Sequence, residues 1–209
     1  MTKSATQSTS SAAEKLDGIG LERLIFFSDA VFAIAITLLT LEIRLPAAGD
    51  SLSNAALVHD LLSIWPEYLA FIISFLVIGS FWIGHHRKFR YIAFYDHRLL
   101  FINLLLLMTI AFIPFPTEVI SEYGNRAATI FYALAMIPPC ILSVTLWYYA
   151  AHNNRLIAHD TDDHVRRREM VKPLAVAGVF VISIGLAFVN SDLAKFSWGL
   201  VAVVAIVLK

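Results

Sequence analysis

Charge is scarce in this chain. Only 15% of its residues are Asp, Glu, Lys or Arg, where soluble domains run to about a quarter. No polar stretch is long enough to form a separate soluble domain. The formal net charge is zero, which argues against a nucleic-acid partner. There is a single cysteine, Cys140, inside an apolar run. No intramolecular disulfide can form, and an inert, buried thiol is expected. Nucleophile motifs are missing: there is no GxSxG, SxxK or HExxH and no glycine-rich phosphate loop, so the chain does not read as an enzyme. It also lacks TVGYG or any similar run that would build a filter of backbone carbonyls.

What is present is hydrophobicity. Apolar residues make up 58% of the chain and the mean hydropathy is +0.72, as in an all-α integral membrane protein. Residues 1–18 are rich in Ser, Thr and Ala without an apolar run, and read as a disordered cytoplasmic tail. Residues 19–209 read as one six-helix transmembrane domain. The spans are placed at Leu21–Leu45, Ser63–Gly84, Leu99–Phe115 and Ala127–Ala151, then from Pro173 to Val189, and from Ser191 to Lys209. Pro46 closes the first, and a polar loop with Gly49, Asp50 and Asp60 follows it. Pro66 suits the first turn of the second. Pro114 and Pro116 stop the third, and Pro138-Pro139 should kink the fourth. The Leu45–Gly49 stretch faintly resembles a signal cleavage region, but the span before it is too long and carries Asp29, so a retained helix is expected.

Loop charges set the orientation. Lys3, Lys15 and Arg23 precede the first span, and Arg87, Lys88, Arg90 and Arg98 lie between the second and third. Arg155, Arg166, Arg167, Arg168 and Lys172 lie between the fourth and fifth, while the alternate loops hold only Arg44, Arg126 and Lys195. Both termini are therefore expected on the cytoplasmic side of the plasma membrane. Beside spans, the Arg87–Arg90 and Arg166–Arg168 runs are topology determinants and anionic-lipid contacts. The polar segment from His152 to Lys172 is a candidate short cytoplasmic helix. Its His152, His159, His164, Asp160, Asp162 and Asp163 make a weak candidate for a surface metal, and no metal or cofactor is expected.

The first span is divided. Arg23, Ser28 and Asp29 occupy its beginning, and a charge at membrane depth costs roughly 2.5–3.5 kcal/mol on insertion scales unless paired. The rest is aliphatic as far as Glu42. Asp29 lies about 9 Å deeper than Arg23, and a six-span topology brings Trp82, His85, His86 and Asn103 to a similar depth. Two readings follow: a polar clamp between helices, or a proton-sensing Asp29/His pair. A redox or metal centre on His85-His86 is disfavoured, because the two rings point about 100° apart on a helix and Arg87, Lys88 and Arg90 repel a cation. On a helical wheel with Ile34 at zero, Leu38 falls at about +40°, Leu41 at about −20° and Thr37 at about −60°, whereas Asp29 lies about 140° away. Such a stripe faces lipid, core or a pore.

The segment Arg23-Leu24-Ile25-Phe26-Phe27-Ser28-Asp29 fits RxxxFSD, and with the following AVFAIAITLLTLEI it resembles the first helix of the transmembrane protein 175 potassium channels. The resemblance continues through FWIGHH (Phe81–His86) and NLLLLMTIAFIPFPT (Asn103–Thr117). It covers the first three helices closely and the last three by length and hydropathy. It implies a potassium-permeable cation channel: a homotetramer of six-helix subunits with the first helix of each lining a central pore. It also implies a hydrophobic constriction at Ile34, further layers at Leu38 and Leu41, and a selectivity role for Thr37. Arg23, Phe27, Ser28 and Asp29, with Trp82, His85, His86 and Asn103, are implied to hold the helices together. The expected partners are further copies of the chain, the bilayer and the permeant potassium ion. The alternative is a secondary or proton-coupled transporter using Asp29 and the His85/His86 cluster. Glu42, near the outer end, either concentrates cations or pairs with Arg44 or headgroups.

Overall fold

A computed structural model describes residues 2–46, 53–158, 161–201 and 204, with side chains from Gly18 onward. The chain is all-helical: α1 (Thr2–Leu38), α2 (Asn54–Ser63), α3 (Trp65–Phe89), α4 (His97–Phe112), α5 (Pro114–Tyr123), α6 (Arg126–Ala151), α7 (Asp163–Ala187) and α8 (Ser191–Ser197). Five segments among the described residues are long and apolar enough to cross a bilayer: Gly18–Glu42, Trp65–Phe89, His97–Tyr123, Arg126–Asn154 and Asp163–Ala187. The sixth expected span begins as α8 and resumes at Gly199, but 202–203 and 205–209 lie outside the described residues. The loop expected at Gly49 and Asp50 also lies outside them.

Several boundaries differ from the sequence reading, each for a local reason. The backbone of α1 is helical from Thr2, where a tail without structure was expected. Its far end tightens into a 3-10 turn, Leu39–Glu42, as helix termini often do. The loop expected after the first span contains α2, started by the Ser53 hydroxyl accepting from Ala56 N at 3.2 Å. Helix α3 does begin with Pro66 in its first turn, but it continues to Phe89 and so carries His85–Lys88 on helical backbone.

The third span does not stop at Pro114 and Pro116. Both fall in the first turn of α5, where no N–H is needed, and the segment runs on to Gly124. That residue has φ +56° and its N–H reaches Ile120 O at 3.1 Å, a left-handed stop that suits glycine. Helix α6 passes through Pro138 and Pro139 without ending. Helix α7 starts ten residues before Pro173, because Asp162 accepts from His164 N at 3.0 Å and Asp163 lies in the first turn, a favourable placement at the positive helix end. Pro173 is therefore interior, and leaves the Glu169 carbonyl without its helical donor.

Helix α6 packs along α7, and α1 lies against α3 and α4. Phe32 and Ala35 of α1, Leu39 of the turn after it, Ile78 of α3, Leu107 and Ile110 of α4, Met136 and Trp147 of α6 and Phe180 of α7 are all buried. Tyr132 stacks on Trp198 with ring centroids 4.4 Å apart, and Trp198 Nε1 donates to Ser183 Oγ at 2.9 Å. A hydroxyl chain, Thr117–Ser74–Tyr132, joins α5, α3 and α6 over 2.8 and 2.9 Å. Lipid tails are as apolar as Leu, so contacts of this kind supply association that hydrophobicity alone does not.

The segment between α6 and α7 is pinned down. Ala93 N donates to Leu156 O at 2.8 Å and Ala158 N to Tyr91 O at 3.1 Å, around an antiparallel bridge between Ile92 and Ile157. Asp96 caps α4 through Leu99 N at 2.8 Å, and its other oxygen accepts from Tyr149 Oη at 2.5 Å and Arg155 at 3.4 Å. Burial pulls the Asp96 carboxyl upward, but the Tyr149 and backbone hydrogen bonds and the Arg155 charge outweigh it and hold the group below its ordinary value. Arg166 donates to Ala151 O at 3.2 Å and to the Asn154 side chain, closing the C-terminus of α6. Arg155 and Arg166 thus have structural partners.

Candidate functional site

Helix α1 has two faces. Leu24, Ser28, Phe32, Ala35 and Leu39 are buried, at spacings of four, four, three and four, which is one helical stripe. Opposite them, Arg23, Phe27, Ala30, Ile34, Thr37 and Leu41 are exposed. Those positions alternate spacings of four and three. That is a seven-residue repeat, the pattern by which helices pack in left-handed register. Ile34 is 57% exposed, Leu41 66% and Leu38 39%, so the aliphatic stripe faces away from the rest of its own chain. Thr37 Oγ1 donates to Ile34 O at 2.9 Å. Its proton is therefore committed to the backbone, and the hydroxyl oxygen presents lone pairs outward.

The buried face is tied down by a directional chain of hydrogen bonds. Ser28 Oγ donates to Leu24 O at 2.8 Å, so it accepts from Asn103 Nδ2 at 2.9 Å. Asn103 Oδ1 must then accept, and it takes the Nε2–H of His85 at 2.9 Å. Three helices, α1, α4 and α3, are joined at buried side chains with each donor assigned. The His85 ring is held between Phe89, stacked at 4.3 Å, and Phe32 at 5.5 Å, and its Nδ1 has no partner among the described residues.

A second tie runs beside the first: Trp82 Nε1 donates to Asp29 Oδ1 at 2.8 Å. Asp29 and His85 thus sit on the same helix pair with different partners. Arg23, Phe27 and His86 take no part in either tie. Arg23 and Phe27 lie on the exposed face with Ile34, and His86 is exposed beside Trp82, 5.9 Å ring to ring. The physical reason is register, since Phe27 lies about 100° around the helix from Ser28.

Glu42 is mostly covered, and Arg44 bridges it to Glu118, at 3.7 Å and 3.0 Å. Of the two expectations for Glu42, pairing is the one the geometry displays.

The sequence reading missed the polar cluster formed by the C-terminal parts of α3 and α6 and the first half of α7. Lys88, expected as a loop cation, is 2% exposed and donates to Ser143 Oγ at 2.5 Å. Arg87 pairs with the fully buried Glu169 at 2.5 Å, and Arg168 lies 3.7 Å from the same oxygen. The available signal was Glu169, an acidic residue four positions before an in-helix proline and amid arginines.

Fold and site together define a polytopic helical membrane protein that buries a polar anchor and turns the apolar face of its first helix away from itself. The family model described as endosomal/lysosomal potassium channel TMEM175 matches residues 23–114, which contain both ties. A potassium channel of Streptomyces collinus is 37% identical over 84% of this chain and 86% of its own length. One of Chamaesiphon minutus is 39% identical over 80% and 84%. The chain belongs to the TMEM175 family. The crystal structure of a lysosomal potassium-selective channel TMEM175 homologue from Chamaesiphon minutus superposes with a TM-score of 0.79 at 34% identity, covering 91% of this chain and 98% of that one. A variant of the potassium channel MtTMEM175, crystallised with a nanobody fusion protein, has the same fold at 18% identity, with a TM-score of 0.60 over 88% and 90% of the two chains.

Proposed function

We propose that the protein is a potassium-permeable cation channel of the plasma membrane, formed by four copies around a central axis with α1 of each as the pore wall. The observation that carries this reading is the exposed aliphatic face of α1 and the turn after it, on which Ile34, Leu38 and Leu41 lie. Four copies of Ile34 around an axis make a hydrophobic neck that closes sterically and by dewetting. The names of the two bacterial relatives support potassium as the permeant ion.

In this arrangement the Ser28–Asn103–His85 chain and the Asp29–Trp82 bond aim the helix. Arg23 and Phe27, which face outward with Ile34, act between copies. Thr37 offers oxygen lone pairs to a partly dehydrated cation, one turn from the neck, and discrimination between potassium and sodium is modest compared with a carbonyl filter. The N-terminal side of α1 and the loops between α3 and α4 and between α6 and α7 face the cytoplasm, as their Lys and Arg content favours.

The transporter alternative needs Asp29 and the histidines as one titrating group. It draws little support from a carboxylate held by Trp82 and an imidazole held by Asn103. Recording from the purified protein in planar bilayers tests the choice. Unitary potassium current steps are expected, and saturable flux without steps would replace the channel reading with the carrier one.

A further inference from the structure

A cavity of about 720 Å³ opens between α3, the inner half of α7 and the start of the last segment. Its α3 wall runs from Ile73 to Lys88, about 22 Å of helix. That exceeds the depth of one leaflet, about half of a ~30 Å hydrocarbon core. The lining is apolar for most of that length and changes character only at the inner end, where Arg87, Lys88, Lys172 and Ser143 meet.

Among the described residues the charge there does not balance: Arg87, Lys88, Arg168 and Lys172 lie around one carboxylate, Glu169. Glu169 is turned to Arg87 and Arg168, while the ammonium of Lys88 has three donors and among the described residues only Ser143 takes one. Arg87 Nε lies 2.5 Å from Glu169 Oε1, while the Arg168 Nε is buried without a hydrogen-bond partner among the described residues. A buried cation is costly unless paired.

We propose that this groove is a binding site for an anionic phospholipid of the inner leaflet. The phosphodiester sits among Lys88, Arg87 and Lys172, and an acyl chain lies along α3 past Gly79. Basic pockets between membrane helices on the cytoplasmic side are suited to such headgroups. The apolar part of the groove is long enough to take a whole acyl chain of one leaflet, which a soluble anion does not need. Gly79 and Gly84, which line it, have no atom of the described residues within 4 Å of where a Cβ would stand.

The test uses the full chain and does not depend on ion flux. Protein in neutral detergent is incubated with equal amounts of phosphatidylglycerol and phosphatidylcholine and repurified, and its retained lipid is quantified by mass spectrometry. Phosphatidylglycerol is expected to be retained over phosphatidylcholine. Lys88→Gln should lower its retention by about fivefold, the effect of one basic contact. Arg167→Gln, an equal loss of charge at an exposed position of the same helix α7, should leave retention unchanged. Gly79→Leu, which blocks the apolar part with every cation in place, should also lower it, and keeps the proposal testable if Lys88→Gln does not fold. Equal retention of the two lipids, an equal effect of Arg167→Gln and Lys88→Gln, or no effect of Gly79→Leu would each overturn the proposal. So would retention of added oleate in place of phosphatidylglycerol.

Discussion

Asn103 Nδ2 donates to Ser28 Oγ across 2.9 Å, and the bond can run in only one direction. The serine proton is already given to Leu24 O in the preceding turn of α1, so the serine oxygen is an acceptor and the amide must present its nitrogen. That assignment passes along to His85, whose Nε2 must carry a proton to meet Asn103 Oδ1. One hydroxyl rotor in α1 thus sets the tautomer of a histidine two helices away. The helix is held at a defined rotation, with Ile34 pointing outward.

Removing the middle of this chain should cost more than removing its end. Asn103→Leu leaves the His85 N–H and the Ser28 oxygen buried and unpaired. Interhelical hydrogen bonds in membranes average about 0.6 kcal/mol and reach about 1.7, so a loss of about 1–3 kcal/mol is expected for the two bonds together. Ser28→Ala removes one interhelical bond, besides the one Ser28 makes within its own helix, and leaves one amide donor unpaired, and should cost about half as much. Thermal unfolding in detergent gives the ranking, and a milder effect of Asn103→Leu than of Ser28→Ala would contradict the directional chain.

Replacing Ile34 by Asn or Ala should widen and wet the neck. Potassium flux into liposomes loaded with the variant is expected to rise, by about tenfold for each 1.4 kcal/mol taken from the barrier. Currents equal to those of the natural chain would remove Ile34 from the gate.

Thr37→Val keeps the branched shape and deletes the oxygen. The ratio of potassium to sodium permeability, read from reversal potentials under bi-ionic conditions, should fall towards unity, while the variant still conducts. An unchanged ratio would place selection elsewhere along the pore.

Asp96 gives a pH dependence outside the membrane. Its carboxyl is held below the ordinary value by Tyr149, the α4 backbone and Arg155, against the opposing effect of burial. The unfolded chain therefore takes up this proton first. The stabilisation is complete above the ordinary carboxylate value of about 3.9 and is lost as pH falls below it through the lowered one. Unfolding temperatures measured from pH 7 down to about pH 3 should fall less steeply for Asp96→Asn, which starts lower at pH 7. Parallel curves would show that Asp96 is not a contributor.

Gly124 ends α5 at φ +56°. An alanine there pays for a left-handed backbone, about 1 kcal/mol, and should lower the unfolding temperature in detergent. No change would mean that the turn relaxes without the left-handed residue.

How much of this could be read from the chain depends on the range of the forces involved. Bilayer transfer energy acts residue by residue, so composition and hydropathy alone were enough to set the membrane class and the positions of five spans. RxxxFSD and the helical wheel likewise marked Ile34 and Asp29 as belonging to different faces, because helical angles follow from residue spacing. Helix ends were less legible. Pro114 and Pro116 read as stops and Pro173 as a start, yet a proline in a first turn costs nothing, and an interior one is tolerated where neighbouring helices hold the segment.

Tertiary structure alone decided which polar residues meet. Ser28, Asn103 and His85 are far apart in sequence and share a site only because α1, α4 and α3 pack together, while Arg23, Phe27 and His86, their sequence neighbours, point away. It also turned Lys88 from a loop cation into a buried one beside Glu169. The physical reason is the same in both cases: a hydrogen bond or an ion pair is a contact of about 3 Å, and only the packing of helices onto one another determines which side chains come that close.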